Sequence, residues 1–271
     1  TASIVGGSIQ HVAMAATDGV PQGMQVTTTF DPTGTTGLGL GSLNGAPLLP
    51  STVSMDPVEV DAAVAAADNG FITLLMYYLD DDLARDLVAV AARGVHDPAT
   101  MPFLIPWTDL ASPRMEHEAM RFYWRTRASL HRDSWNLQFA VLVEGDVVGM
   151  CDLMAEHFGV LRQFTTGSWL GREFQGQGLG KEFRTAALTL GFDGLGAEFA
   201  LTGAWRDNAA SRGVTESLGY EEVGRRRALR RGEPDEQVEY RMSRDHWATI
   251  RRDDIVVEGI SAARAFLGLE D

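Results

Sequence analysis

Residues Thr166 to Arg184 read TGSWLGREFQGQGLGKEFR: a strand-like run, then Gly176, Gly178 and Gly180, then a segment of helical spacing. Glycines let a backbone approach a ligand closely, and successive amides at a helix start converge on one anion. This spacing offers a cradle for phosphate or pyrophosphate. Arg172 and Lys181 flank the turn and supply positive charge; Lys181 is the only lysine beside 22 arginines. Two common cradles do not fit. A Walker A loop requires Ser or Thr where Glu182 stands and a glycine where Gln175 stands. A dinucleotide fingerprint requires a third glycine at the position of Lys181.

A third pattern fits. Gln175-x-x-Gly178-x-Gly180 has the form Q/R-x-x-G-x-G/A, and Asn208-Ala-Ala-Ser211 and Ser217-Leu218-Gly219-Tyr220 follow it downstream. On these motifs the chain resembles the GCN5-related N-acetyltransferase superfamily, from about Phe71 to Arg244. Ser211 and the Met101–Trp107 loop (MPFLIPW) most resemble its ribosomal-protein N-terminal acetylase branch. The resemblance implies an acetyl-CoA-dependent N-acetyltransferase that passes acetyl directly to a primary amine, either a protein N-terminus or a small cationic amine. It places acetyl-CoA between two splayed strands, one ending at Leu170 and one at Ala204. Backbone groups of Trp169 and Leu170 would bind the pantetheine arm. Amides along Gln175, Gly176, Gln177, Gly178, Leu179 and Gly180 would hold the pyrophosphate, with Arg172 and Lys181 beside them. Asn208 would bond the pantetheine or cap its helix.

Acetyl transfer to an amine needs a base, an oxyanion site and a proton for the leaving thiolate. Glu156, just past a strand ending near Met154, is the candidate base, directly or through water, with His157 as its rival. Ser211 is the candidate thiolate contact. Family members often carry a tyrosine acid seven residues after the asparagine; here that position is Thr215, too weak an acid to replace it. Tyr220 reads as core.

The elements that must position these groups follow from period and punctuation. Asp56-Pro57 opens a short Ala/Val helix to about Ala67. Phe71–Leu79 is an apolar run of strand length, and Asp80-Asp81-Asp82 cap a helix carrying Leu83, Leu87 and Val90 at 3–4 spacing. After a Pro-rich loop, a helix runs from about Met115 to His131. Glu144-Gly145-Asp146 turns a hairpin between Leu137–Val143 and Val147–Met154. Phe164–Leu170 is a third strand, Lys181–Phe192 a helix, and Phe199–Gly203 a further strand. A helix after Asn208 stops near Gly219. Strands at about Glu222–Leu229 and Gln237–Met242 and a helix–strand–helix tail complete the chain. The fold expected is an α/β (α+β) sandwich: a mixed, mostly antiparallel central sheet flanked by helices, with an extended N-terminal arm.

The chain has 271 residues and a formal charge of −14, and 45% of its residues are apolar, enough for a sizeable core. Three regions are expected: a Gly/Thr-rich extension over residues 1–52, an acetyltransferase domain over 53–245 and a tail over 246–271. Residues 1–50 contain no Lys or Arg, and Thr27–Gly41 is close to low complexity. The extension is read as an arm held on its own body or on another subunit in a homo-oligomer or assembly.

The acidic balance argues against nucleic acid and anionic membranes as partners, and would steer cationic amines inward. No run is apolar enough to span a bilayer, and one cysteine, Cys151, excludes an internal disulfide. A cytoplasmic protein is the expectation, with no metal, since the six histidines show no ligand spacing. The arginine run Arg225–Arg227 with Arg230-Arg231 would meet a 3′-phosphate or lie on a solvated face. Trp107, Tyr123 and Trp124 would wall an acceptor pocket or pack in the core. The rival function is a non-catalytic CoA-binding or structural module of a larger assembly; a longer acyl donor is a further alternative.

Overall fold

The computed structural model describes residues 4–5, 8–9, 25–30, 72–257 and 259–269. The expected helix over residues 56–67 and most of the 1–52 extension lie outside them. Strands β1 (Ile4–Val5) and β2 (Ser8–Ile9) pair antiparallel as a separate ribbon. The other strands are β3 (Gln25–Phe30), β4 (Ile72–Tyr78), β5 (Ser134–Val143), β6 (Asp146–Glu156), β7 (Gln163–Leu170), β8 (Phe199–Trp205), β9 (Glu221–Arg230), β10 (Glu233–Ser243) and β11 (Val256–Val257). They form one sheet in the order β11-β3-β4-β5-β6-β7-β8-β10-β9. Every pairing is antiparallel except β7–β8. Six residues of the Gly/Thr-rich extension thus lie within the sheet as β3, between β4 and the tail strand β11.

Two layers of helix cover the sheet. On one face lie α1 (Asp81–Arg93) and α2 (Arg114–Ala128). Asp80 caps α1 by accepting from the Leu83 amide at 2.8 Å, and Leu83, Leu87 and Val90 pack on Ala140, Leu142 and Met150. On the other face α4 (Leu179–Thr189) buries Phe183, Ala186 and Ala187 against Leu137, Phe139, Cys151 and Leu153. Odd residues from Trp135 to Val141 and from Cys151 to Ala155 turn to α4 and the even Ala140, Leu142 and Met150 to α1 and α2; a register shift reverses the order at Val147 and Val148. A short α3 (Phe158–Leu161) links β6 to β7. The remaining helices are α5 (Ala209–Ser217), α6 (Arg244–Ile250) and α7 (Ile260–Phe266). Among the described residues no helix is long and apolar enough to cross a membrane.

Helix α4 ends in a π turn, Leu190–Gly194, that brings Gly191 hard against the buried Phe164 ring. A Cβ at 191 would stand 2.2 Å from that ring. Gly191→Ala should therefore overpack the core and cost about 1–3 kcal/mol, read as a lower urea midpoint at unchanged slope.

Candidate functional site

The parallel pair β7–β8 is joined only from Gln163↔Phe199 to Thr165↔Leu201; beyond that the strands diverge. The cleft between them has a volume of about 670 Å³. Its floor is Arg184, on α4, whose guanidinium is buried and donates to Thr166 Oγ1 and Thr202 Oγ1, both at 3.3 Å. Its rim is the glycine turn. Gly176 (φ +76°) and Gly178 (φ +81°) hold left-handed conformations, and a Cβ on either would meet nothing within 4 Å. Both face open space at the cleft, where the first amides of α4 point outward. Among the described residues the amides of 176–180 donate to no backbone carbonyl in the turn. Unsatisfied amides at the positive end of an eleven-residue helix, with Lys181 alongside, suit a diphosphate.

Of the residues singled out from sequence, Trp169, Leu170, Gln175, Gly176, Gly178, Gly180, Lys181, Asn208 and Ser211 line this cleft. Three do not. The Arg172 side chain is exposed and outside the lining, Gln177 turns back to donate to Glu173 O (3.0 Å), and Leu179 is buried in the core. The Gln175 amide is already used on Arg172 O, and its side chain ties Val95 O (2.6 Å) to Leu170 O (2.9 Å). Gln175 thus shapes the turn from behind. The Trp169 backbone also departs from expectation. The Gly171 amide donates to Val148 O (2.9 Å), so β7 residues of odd number pair with β6. Ser168 and Leu170 therefore turn their peptide groups to the cleft, and Trp169 contributes its indole instead.

Asn208 Oδ1 accepts from the Ser211 amide (3.1 Å), capping α5 while lining the cleft. Thr215 is buried and donates to Ser211 O at 2.9 Å, so its hydroxyl is spent inside the helix. Tyr220 is core, with burial pushing its phenol up to about 12, and Cys151 sits in the sheet with its thiol likewise raised by burial to about 12. Four of the five arginines of the run are held in ion pairs: Arg225 with Glu222 and Glu236, Arg226 with Glu239, Arg230 with Asp207 and Asp235, Arg231 with Asp109. Arg230 also donates to Met101 O (2.8 Å) and lies over the Trp205 ring, so it staples the 95–110 loop to the cleft.

Glu156 is not brought to the cleft. It is exposed and pairs with Ser134, six residues along β6 from the partner of Trp169, roughly 20 Å away at ~3.3 Å per residue. The reason is direction: β6 runs away from the splayed end of β7 as it approaches Glu156. Its neighbour His157 is exposed as well. Glu156→Gln should leave kcat/KM within about twofold of the parent, since nothing of Glu156 lines either cavity.

A second cavity, of about 640 Å³, opens on the α1/α2 face and shares the wall Phe103, Ser168 and Trp169 with the first. Trp107, Tyr123, Met150 and Met154 line it, as does one carboxylate that the sequence reading missed, Asp152. Asp152 lies opposite Gly167 on β7, one residue from the shared wall. Its Oδ2 accepts from Asn136 Nδ2 at 3.2 Å. Its Oδ1 lies against Gly167 with no aligned donor; a Cβ at 167 would stand 2.4 Å from it. Burial pushes the Asp152 carboxyl above the usual carboxylate range, opposed by Asn136, the Gly167 amide and the more distant Arg184. A polar residue at an even, otherwise apolar position of β6 was the available signal. Among the described residues no group of three or more His, Cys, Asp or Glu is placed to hold a metal ion.

This arrangement of splayed parallel strands, glycine turn and following helix agrees with the sequence comparisons. A family model described as an acetyltransferase (GNAT) domain matches residues 78–221, just over half of the chain. The chain belongs to the GNAT acetyltransferase family. It is an N-acetyltransferase by that membership, and solved structures share its fold. One is a GCN5-related N-acetyltransferase from Brucella melitensis, 19% identical, TM-score 0.54, covering 66% of this chain and 79% of that one. Another is a chimera of the spermidine N-acetyltransferase SpeG from Vibrio cholerae and hSSAT, 16% identical, TM-score 0.52, over 65% and 98%. A third is RimL, a ribosomal-protein alpha-N-acetyltransferase in complex with coenzyme A, 16% identical, TM-score 0.50, over 64% and 95%. At these identities the likeness establishes the GNAT fold.

Proposed function

We propose that this chain transfers acetyl from acetyl-CoA directly to a primary amine, with no acyl-enzyme stage. The observation that carries this reading is the meeting of two cavities at Phe103, Ser168 and Trp169, with a buried carboxylate one residue away. Acetyl-CoA supplies the activated thioester. The amides of residues 176–180 and Lys181 hold its diphosphate, and the Ser168 peptide group and the Leu170 amide align its arm. An amine entering from the second cavity reaches the shared wall beside Asp152. Asp152 takes the proton whose loss frees the amine lone pair; as the N–C bond forms and the C–S bond breaks, the second N–H proton passes to the departing thiolate, which leaves as the CoA thiol. A carboxyl raised by burial lies closer to the working pH than an ordinary one, which favours that role. Ser211, on the donor side, faces the sulfur end, and Arg184 supplies the positive charge beneath it.

Calorimetric titration with acetyl-CoA and thiol release with amines test this reading together. Saturable binding with amine-dependent release is expected; binding with no release for any amine would favour a CoA-binding module. That second reading has one observation behind it: Thr215 stands where the family often has a tyrosine acid, and among the described residues no tyrosine lines the donor cleft. Comparison of acetyl, succinyl and long-chain donors separates acetyl from longer acyl transfer.

A further inference from the structure

The acceptor cavity has a composition unlike the acidic protein around it. Its walls are Phe103, Trp107, Phe122, Tyr123 and Trp169, with Trp107 and Trp169 tilted at 51° and 5.9 Å apart. Ile105, on its rim, is 70% exposed, and Leu104 and Phe122 beside it are also uncovered. Apolar side chains left open around a concave site mark the place where an apolar ligand is covered.

The charges in this cavity argue for a single ammonium. Its carboxylates are Asp152 on the floor and Glu118, which is already paired with Arg121 at 2.7 Å. Arg114 and Arg125 also line it. A polyamine or aminoglycoside carries several ammonium groups, and each beyond the first would meet an arginine or an aromatic wall without a free carboxylate. The net charge of −14 would draw such polycations toward the protein, but the cavity is not built to hold them.

We propose that the acceptor is a small primary amine with one positive charge and an aromatic or bulky aliphatic body, an arylalkylamine in chemical class. Its ammonium meets Asp152 at the junction of the cavities, and its ring lies among Phe103, Trp107 and Trp169. A volume of about 640 Å³ suits a molecule of that kind rather than a protein surface. This inference rests on the acetyl-transfer reading above.

The test uses the full chain with saturating acetyl-CoA and four acceptors: tryptamine, ethanolamine, spermidine and a short peptide with a free N-terminus. Thiol release is followed for each, and acetyl-CoA binding is measured separately by calorimetry. Tryptamine should exceed ethanolamine and spermidine in kcat/KM by at least about tenfold, the usual effect of burying an apolar body of several carbons. Ile105→Glu, on the exposed rim, should raise KM for tryptamine about tenfold at unchanged kcat and unchanged acetyl-CoA affinity, and Ile105→Leu should keep the parental KM. If spermidine, ethanolamine or the peptide is the better substrate, the inference is overturned while acetyl transfer stands. If acetyl-CoA binds and none of the four releases thiol, both fall. If acetyl-CoA does not bind, the donor site itself is refuted.

Discussion

Replacing Asp152 by asparagine is expected to lower kcat/KM by about 10²–10⁴-fold, the usual contribution of a positioned general base, while making the fold relatively more heat-resistant as pH rises. Both effects have one origin. Asp152 is buried, and desolvation outweighs the bond from Asn136 and the charge of Arg184, so its carboxyl titrates above the ordinary range. A raised folded-state pKa means that folding favours the protonated acid. The stability that Asp152 contributes is therefore complete below the unfolded pKa of about 3.9 and is lost as pH rises through the folded value. Above its raised folded value the parent carries an ionised carboxylate in an apolar wall; Asp152→Asn does not. The variant's advantage in melting temperature should grow as pH is raised and close toward pH 4. Unchanged turnover would remove Asp152 from the reaction, and a lower melting temperature at pH 8 would show its charge to be stabilising.

Coenzyme A binding should be abolished, a loss of at least about 100-fold in affinity, by Gly178→Glu. The residue sits at φ +81° at the N-terminus of α4, and a side chain there projects into open cleft. A glutamate places bulk and negative charge against the converging amides, where a diphosphate would bind. The left-handed backbone adds strain of about 1–2 kcal/mol for any residue with a Cβ. Gly178→Asn separates the two causes, because asparagine tolerates that conformation and carries no charge. Calorimetry should show weakened but measurable binding for Gly178→Asn and none for Gly178→Glu, with both variants folded by circular dichroism. Parental affinity in Gly178→Glu would refute the site.

Sequence alone carried the order of elements from Phe71 onward, the short α3 excepted, the glycine turn before α4 and the family. These are local properties: Asp80 caps its own helix, Glu144-Gly145 turns its own hairpin with both residues at positive φ, and the 175–180 spacing is contiguous. The long-range arrangement was decided by the tertiary structure. Strand β3, QVTTTF, is rich in β-branched residues, but it borders a Gly/Thr-rich stretch close to low complexity, and its partners β4 and β11 are remote in sequence, so only the fold shows that it joins the sheet. Glu156 and Asp152 are four residues apart on one strand, and sequence proximity to the strand's end favoured the one that the fold leaves exposed. Only the direction of β6 against the splayed end of β7 sends Asp152 to the meeting of the cavities and Glu156 to solvent. Likewise, the overall acidity is legible in a count of residues, whereas the aromatic, nearly neutral acceptor wall exists only once α2, the 101–110 loop and β7 are folded together. Net charge sums over the whole chain, but a ligand meets only the few side chains that the fold gathers around it.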